Sequence, residues 1–445
     1  MRPDEYRTLS ATRLGTLVAT GEVSADEVHA AATAVHEATH PRINAVVEWY
    51  DDPLPAARGG PLAGVPFLRK DYGSTEAGRL VEMGSRLTQG VVATTTSRFY
   101  RLVRSSGARV VGRSAVPEMI MHGTTESRAT GTTRNPYDPA WSAGGSSGGA
   151  GAAVAAGVVP VAHASDCAGS IRIPAAVCGV LGLKPGRGRI PWEEGAWGGI
   201  ATEFVLSRTV GDAATFLDLL SSPSFEASLE PAPPAPRRIA VDTSHWAGAA
   251  VDPHVVAATE TAARQLAEAG HVVEAIERPV DAEAIESGWD ALFGRWVAHD
   301  VDVWSARTGR PVDGDHLEPA TLAQIEAVRR LTVDDITAAQ ERTGRAVFDF
   351  VERMEPFDAL LTPTLGRARI PLAKVSGELD DLDEYLRTNV EIFCYSFLAN
   401  VSGWPAVSVP AGVVGGHPVG VQLMAPPGSE RLLLHLAADL GVPQE

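Results

Sequence analysis

The chain has 445 residues, 44% hydrophobic and 21% charged, a balance that suits a folded protein with a large core and room for one large domain or two ordinary ones. Acids outnumber bases 55 to 38, giving a net charge of −17, and no basic cluster opposes it. Nucleic acid and anionic membrane are thereby excluded as main partners, because each needs a positive face.

Leu9, Leu14, Leu17 and Val18 predict a first amphipathic helix within residues 8–39. A second follows Ser24, an N-cap with Glu27 placed to complete a capping box, and carries Val28, Ala31, Ala32 and Val35 on one face. A short strand at Ala45-Val46-Val47 precedes a Pro/Gly-rich loop around residues 53–61. Val65-Pro66-Phe67-Leu68 reads as a strand that ends at Lys70. Residues 93–107 are expected to be helical, and residues 108–112 form a buried strand. Past Gly144 a serine-glycine loop opens a helix of small residues at about 149–157, followed by an apolar strand at 158–162. A proline-rich linker, residues 231–236, leads to a strand at 238–241, a helix at 253–269 ended by Gly270, and a strand at 272–273. Residues 280–356 read as mainly helical, with Trp289, Phe293, Trp296 and Trp304 among charges. Strands at 359–363 and 406–410 and a helix at 430–440 close the chain. Strands alternating with helices predict an α/β sheet with helices on both faces.

The polar start, Met1-Arg2-Pro3-Asp4-Glu5, gives no expectation of a secretory leader. The longest apolar run, residues 150–164, is too short and too broken to span a bilayer. Cys167, Cys178 and Cys394 make neither a disulfide framework nor a Cys-x-x-Cys metal site, so a cytoplasmic protein without metal or cofactor is expected.

Two glycine-rich segments concentrate the chemistry. One reads Gly144-Gly145-Ser146-Ser147-Gly148-Gly149, the other Asp166-Cys167-Ala168-Gly169-Ser170-Ile171-Arg172-Ile173-Pro174. Tight glycine turns bring backbone N–H groups and a hydroxyl toward one point, the geometry of a nucleophile beside an oxyanion hole. Ser146, Ser147, Ser165 and Ser170 are nucleophile candidates, with Cys167 as the thiol alternative and a small turn-lining residue as its plainer role. A serine needs a base. Neither His122 nor His163 stands in a recognisable catalytic setting, and no Gly-x-Ser-x-Gly elbow surrounds Ser170. Lysine occurs only at Lys70, Lys184 and Lys374, against 38 basic residues in all. A lysine retained in such an arginine-rich chain points to a task arginine cannot do, namely losing a proton. As a base, Lys70 would have to fall from roughly 10.4 to near 7, which burial can supply; as a plain residue it would pair with Asp71. Asp166 and Arg172, flanking Ser170, read best as a buried ion pair holding the turn.

These residues carry a resemblance. Gly64-Val65-Pro66 through Lys70-Asp71, Thr133-Arg134-Asn135-Pro136, the two serine segments, Gly182-Leu183-Lys184-Pro185, residues 405–410 and Pro418-Val419-Gly420-Val421-Gln422 are together similar to the amidase signature family. The serine pair, 24 residues apart with a lysine upstream, is its most specific mark. The resemblance implies a large mixed twisted sheet covered by helices in one domain over 1–445, with a core at about 45–230 and 357–445 and a variable helical region at about 280–356. It implies a Ser–cisSer–Lys triad, with Ser170 as nucleophile, Ser146 as the bridging serine and Lys70 as base, and an oxyanion hole from the backbone N–H groups of Cys167, Ala168, Gly169 and Ser170. The implied reaction is hydrolysis of a small-molecule amide through an acyl-enzyme. A lactam, ester, carbamate or hydrazide hydrolase is the alternative, and an amidotransferase subunit a more distant one that the acidic charge opposes. Met121, His122, Trp197, Phe397 and Trp404 are candidates for the substrate pocket, and a homodimer is compatible with the sequence. Two positions depart from the family pattern: Ala164-Ser165-Asp166 stands for Gly-Thr-Asp, and Ala168 for a glycine. Together with Thr125-Glu126-Ser127 and Gly186-Arg187-Gly188-Arg189, the first of these is similar to the branch that contains 6-aminohexanoate cyclic-dimer hydrolases.

Overall fold

The computed structural model describes residues 1–53, 59–192, 197–222 and 236–445. Among them, eleven strands make one mixed sheet in the order Val46–Trp49, Arg109–Ser114, Pro66–Lys70, Val161–Asp166, Thr202–Ser207, Leu181–Lys184, Ala406–Val414, His417–Met424, Ala359–Pro363, Arg238–Val241 and Val272–Ala275. The Arg109–Ser114, Pro66–Lys70 and Val161–Asp166 strands run parallel, as do the last three, and antiparallel pairs join the two groups. Successive side chains of a strand face opposite sides of a sheet. Every residue of the Pro66–Lys70, Val161–Asp166, Thr202–Ser207 and His417–Met424 strands is buried, so both faces of the central sheet are covered. The largest apolar cluster draws on the amino-terminal helices, the sheet and the carboxy-terminal helix Glu430–Asp439 together.

The predicted helices near the amino terminus are Ala11–Ala19 and Ala25–Ile43, the latter opened by the Ser24–Glu27 capping box. Of the boundaries that differ from expectation, two have a local cause. The helix expected over 93–107 is confined to Arg98–Ser105. Three β-branched residues, Thr94 to Thr96, precede it, and the Ser97 hydroxyl accepts from Thr75 N at 2.8 Å instead of capping the helix. The strand expected at 158–162 is Val161–Asp166, displaced past Pro160, which has no N–H to give to a ladder. The region expected to be helical contains Ala282–Gly288, a π-helical stretch Trp289–Gly294, and helices Arg295–Thr308, Pro319–Arg329 and Val333–Met354. The proline-rich linker, up to residue 235, and residues 54–58 of the Pro/Gly-rich loop lie outside the described residues. No described helix is long and apolar enough to cross a membrane.

This topology decides where chemistry can occur. The parallel strands Pro66–Lys70 and Val161–Asp166 pair Phe67 with Val161 and Leu68 with Ala162, so Lys70 and Ser165-Asp166 leave the sheet at the same edge. Carboxyl ends of parallel strands are where α/β sheets leave space for ligands. Helix Gly148–Ala155 packs against Val161–Asp166 and brings the serine-glycine loop to that edge. A Cβ at Gly149 would sit 2.4 Å from Ala115 N and 2.5 Å from Ala45 O, so only glycine permits this approach.

Candidate active site

Lys70 is fully buried at the end of its strand. Its Nζ lies 2.9 Å from Ser146 Oγ, 2.8 Å from Ser147 Oγ, 2.9 Å from Ser165 Oγ and 3.4 Å from Ser165 O. Among the described residues no carboxylate touches it; Asp71, the partner of the plainer reading, instead meets Arg113 at 2.9 Å. Burial pushes the Lys70 amine down to about 7. Of the two neighbours whose charge would lift it again, Cys167 is a thiol raised above its ordinary range by burial, hence uncharged at neutral pH, and Asp166 is already paired with Arg172. The surroundings therefore favour a neutral amine. Such an amine has two N–H groups and one lone pair. Ser147 Oγ has a further acceptor in Ser165 O at 3.4 Å, so the N–H groups can go to Ser147 and Ser165 while the lone pair takes the Ser146 hydroxyl.

The Gly145–Ser146 peptide bond is cis. Thr125 Oγ1 fixes the loop by donating to Gly144 O at 2.8 Å and accepting from Gly148 N at 3.1 Å, and Ser147 N–H reaches Ser170 O at 3.3 Å, tying the two serine segments together. Asp166 and Arg172 form the ion pair read from the sequence, bidentate at 2.9 Å for both bonds and wholly buried. Burial alone would raise the Asp166 carboxyl, but the Arg172 guanidinium holds it well below its usual range. Arg172 also donates to Gln422 Oε1 at 2.6 Å and to Asn400 Oδ1 at 2.7 Å. Asp166 in turn accepts from Gly169 N at 2.8 Å and Ile171 N at 3.2 Å, which winds the turn around its carboxylate. The Gly169 amide is thus spoken for. The amides of Cys167, Ala168 and Ser170 donate to no described residue, so three of the four N–H groups expected of an oxyanion hole remain free. Ala168 fits without a positive φ, whereas Gly169 sits at φ +116°.

Ser170 is half-buried on the wall of a cavity of about 260 Å³, and its hydroxyl hydrogen-bonds to no described residue. Of the five pocket candidates, Met121, His122 and Phe397 line this cavity. Trp197 and Trp404 do not line it. Trp197 donates to Asp300 at 3.1 Å and packs behind Phe293, with ring centroids 5.3 Å apart; Trp404 packs on Phe350 in the core at 4.9 Å. His122 has both ring nitrogens engaged, by Tyr385 Oη at 2.8 Å and Thr321 Oγ1 at 3.0 Å, and burial pushes it down to about 3, so it meets a ligand as a fixed neutral ring. The reading of the sequence missed Trp246, Glu286 and Asn389 on the cavity wall; nothing in their spacing marks them, since separate segments bring them there.

His163 belongs to the support beneath Lys70. Its Nδ1 lies 3.3 Å from Lys70 N and 2.7 Å from Tyr100 Oη, and its Nε2 lies 3.2 Å from Glu203. Lys184 is buried and also pushed down to about 7 by burial, yet it donates to its neighbour Pro185 O at 2.9 Å; Lys374 makes a surface ion pair with Glu384.

A large mixed sheet carrying a buried lysine under a cis-serine loop defines a class of hydrolase, and comparison with known proteins names it. The amidase family model matches residues 21–434. The chain is 34% identical to 6-aminohexanoate-cyclic-dimer hydrolase of Paenarthrobacter ureafaciens, covering 97% of this chain and 94% of that one. It is 32% identical to an acylamidase of Rhodococcus erythropolis, again over 97% and 94%. The solved structure of 6-aminohexanoate cyclic dimer hydrolase complexed with substrate matches with a TM-score of 0.90 and 32% identity, covering 97% of this chain and 96% of that chain. The chain belongs to the amidase family, and is an enzyme that hydrolyses amide carbon–nitrogen bonds.

Proposed function

We propose that this enzyme hydrolyses small-molecule amides through a Ser170–Ser146–Lys70 triad and an acyl-enzyme. The observation that carries the reading is the fully buried Lys70 amine, near neutrality and 2.9 Å from the Ser146 hydroxyl. Ser170 Oγ attacks the amide carbon; its proton passes to Ser146 Oγ as the Ser146 proton moves to Lys70 Nζ. Ser170 Oγ makes no hydrogen bond to Ser146 in this structure and forms one on binding, in keeping with catalytic hydrogen bonds that tighten only once substrate is present. The oxyanion that forms is met by the free amides of Cys167, Ala168 and Ser170, while Asp166 holds Gly169 N–H and so the shape of the turn. Collapse of the tetrahedral intermediate breaks the C–N bond, and the Lys70 proton returns through Ser146 to the leaving amine. Water then attacks the Ser170 ester by the same relay, releasing the acid and restoring the serine.

The likeness to a cyclic-dimer hydrolase and an acylamidase supports amides, cyclic or linear, in the aromatic cavity. A panel of linear amides, lactams, esters and hydrazides, with products read by mass spectrometry, separates these. Cleavage is expected in the wild type and its loss, by about 10⁴-fold or more, in Ser170→Ala. A fluorophosphonate adduct mapped to Ser170 supports the assignment; an adduct on Ser146 or Cys167 refutes it.

A further inference from the structure

The Ala282–Gly288 helix places a single carboxylate, Glu286, on the wall of the Ser170 cavity. Its Oε1 is buried without a hydrogen-bond partner, and among the described residues neither oxygen meets a donor or a cation. Burial raises its pKa, and the charge acting on it, Glu283, raises it further. Glu286 is half-buried, and its Oε1 has lost hydration without gaining a counter-ion, an unfavourable state that an incoming cation relieves. Among the described residues the cavity wall contains no lysine or arginine, and its histidine, His122, is neutral. Trp246, Trp289, Phe293 and Phe397 surround the same space, and ring faces attract ammonium groups. The net charge of −17 acts in the same sense over longer range, drawing cations and repelling anions.

We propose that this cavity selects amides bearing a cationic amine remote from the scissile bond, with Glu286 as the counter-ion and the aromatic rings as walls. The proposal rests on the assignment of Ser170 as nucleophile, since it is the Ser170 cavity that is assigned. It makes Glu286 a specificity-determining residue: it binds the distal ammonium and takes no part in proton transfer. Substrates ending in a carboxylate are rejected.

The test uses two matched series of amides on the full chain. One carries an ammonium at the end of the acyl chain, the other on the leaving amine, and each is paired with a methyl-terminated isostere and a carboxylate-terminated analogue. In the wild type, the ammonium member of at least one series is expected to have the higher kcat/KM, expressed through KM. In Glu286→Gln the ratio of charged to neutral kcat/KM falls by about 10- to 100-fold. In Glu286→Lys it reverses toward the carboxylate analogue, and circular dichroism melts confirm that both variants are folded. A wild type blind to charge in both series, or a preference that survives Glu286→Gln, overturns the proposal. Each series is repeated with Ser170→Ala: cleavage that persists there refutes the nucleophile, whereas Ser170-dependent cleavage that ignores charge refutes the role of Glu286 alone.

Discussion

At the scale of single residues, Lys70 is where charge and chemistry part. Arginine would keep the charge and fit the compositional habit of the chain, which has three lysines among 38 basic residues. It cannot give up its proton, and its planar fork does not match three hydroxyls clustered around one nitrogen. Lys70→Arg is therefore expected to lower kcat by about 10³-fold or more, a loss typical of removing a general base. Only the neutral amine accepts a proton, so with Lys70 pushed down to about 7, kcat/KM should rise about tenfold per pH unit below 7 and level off above it. A profile without that limb, or an arginine variant near wild-type activity, removes Lys70 from the mechanism. Burial that lowers the amine also costs stability. The unfolded chain holds this proton up to about 10.4, so between the two values this residue makes stability rise with pH. Lys184 is pushed down as far but meets Pro185 O, so the adjoining Ser146 hydroxyl is what distinguishes Lys70 in the proposed mechanism.

At the scale of elements, the turn that carries Ser170 is held from below. Asp166 ends a central strand, Arg172 opens the Arg172–Cys178 helix, and the bonds between them bend the intervening chain so that Ser170 faces the cavity. Gly169 closes the bend at φ +116°, where a Cβ would meet Ser396 Cβ at 2.7 Å and Ile173 Cδ1 at 2.8 Å. Arg172→Gln leaves the Asp166 carboxylate buried without its cation. We expect a loss of about 3–5 kcal/mol in denaturant unfolding, and a fall in kcat larger than any rise in KM. Unfolding midpoints equal to wild type would mean that the turn is held by other contacts. The pairing itself was legible, because oppositely charged residues six positions apart around a glycine turn have few other partners. The commitment of Gly169 N–H to Asp166 was not, because a sequence does not show where an amide points.

At the scale of the whole molecule, the site is assembled across distance. Ser146 lies 76 residues from Lys70 in the chain, and Ser165 lies 95. The cavity opposite Ser170 is closed by a helical segment that begins more than a hundred residues later. Trp289 forms part of that wall, stacked on Phe293 at 4.4 Å and edge-on to Phe397 at 5.2 Å. Trp289→Ala is expected to widen the cavity, shifting relative kcat/KM toward bulkier amides while costing up to about 3 kcal/mol of stability. An unchanged substrate profile would show that this segment does not shape the cavity.

The amino-acid order was sufficient for the local: the Ser24–Glu27 cap, the strand ending at Lys70, the two serine turns, and a lysine kept in an arginine-rich chain. Capping, strand alternation and glycine turns act over a few residues, so they can be read from neighbours in the chain. Helix 98–105 and strand 161–166 were misplaced by a few residues because Thr75 and Pro160 decide those ends. The substrate cavity needed the fold. Aromatic side chains look alike in a sequence whether they line a pocket or fill a core, so Phe397 and Trp404 were indistinguishable until packing sent the one to the cavity and the other against Phe350. Glu286 was invisible for the same reason: an acid on a helix is ordinary until the fold turns it toward an aromatic cavity and leaves it without a partner.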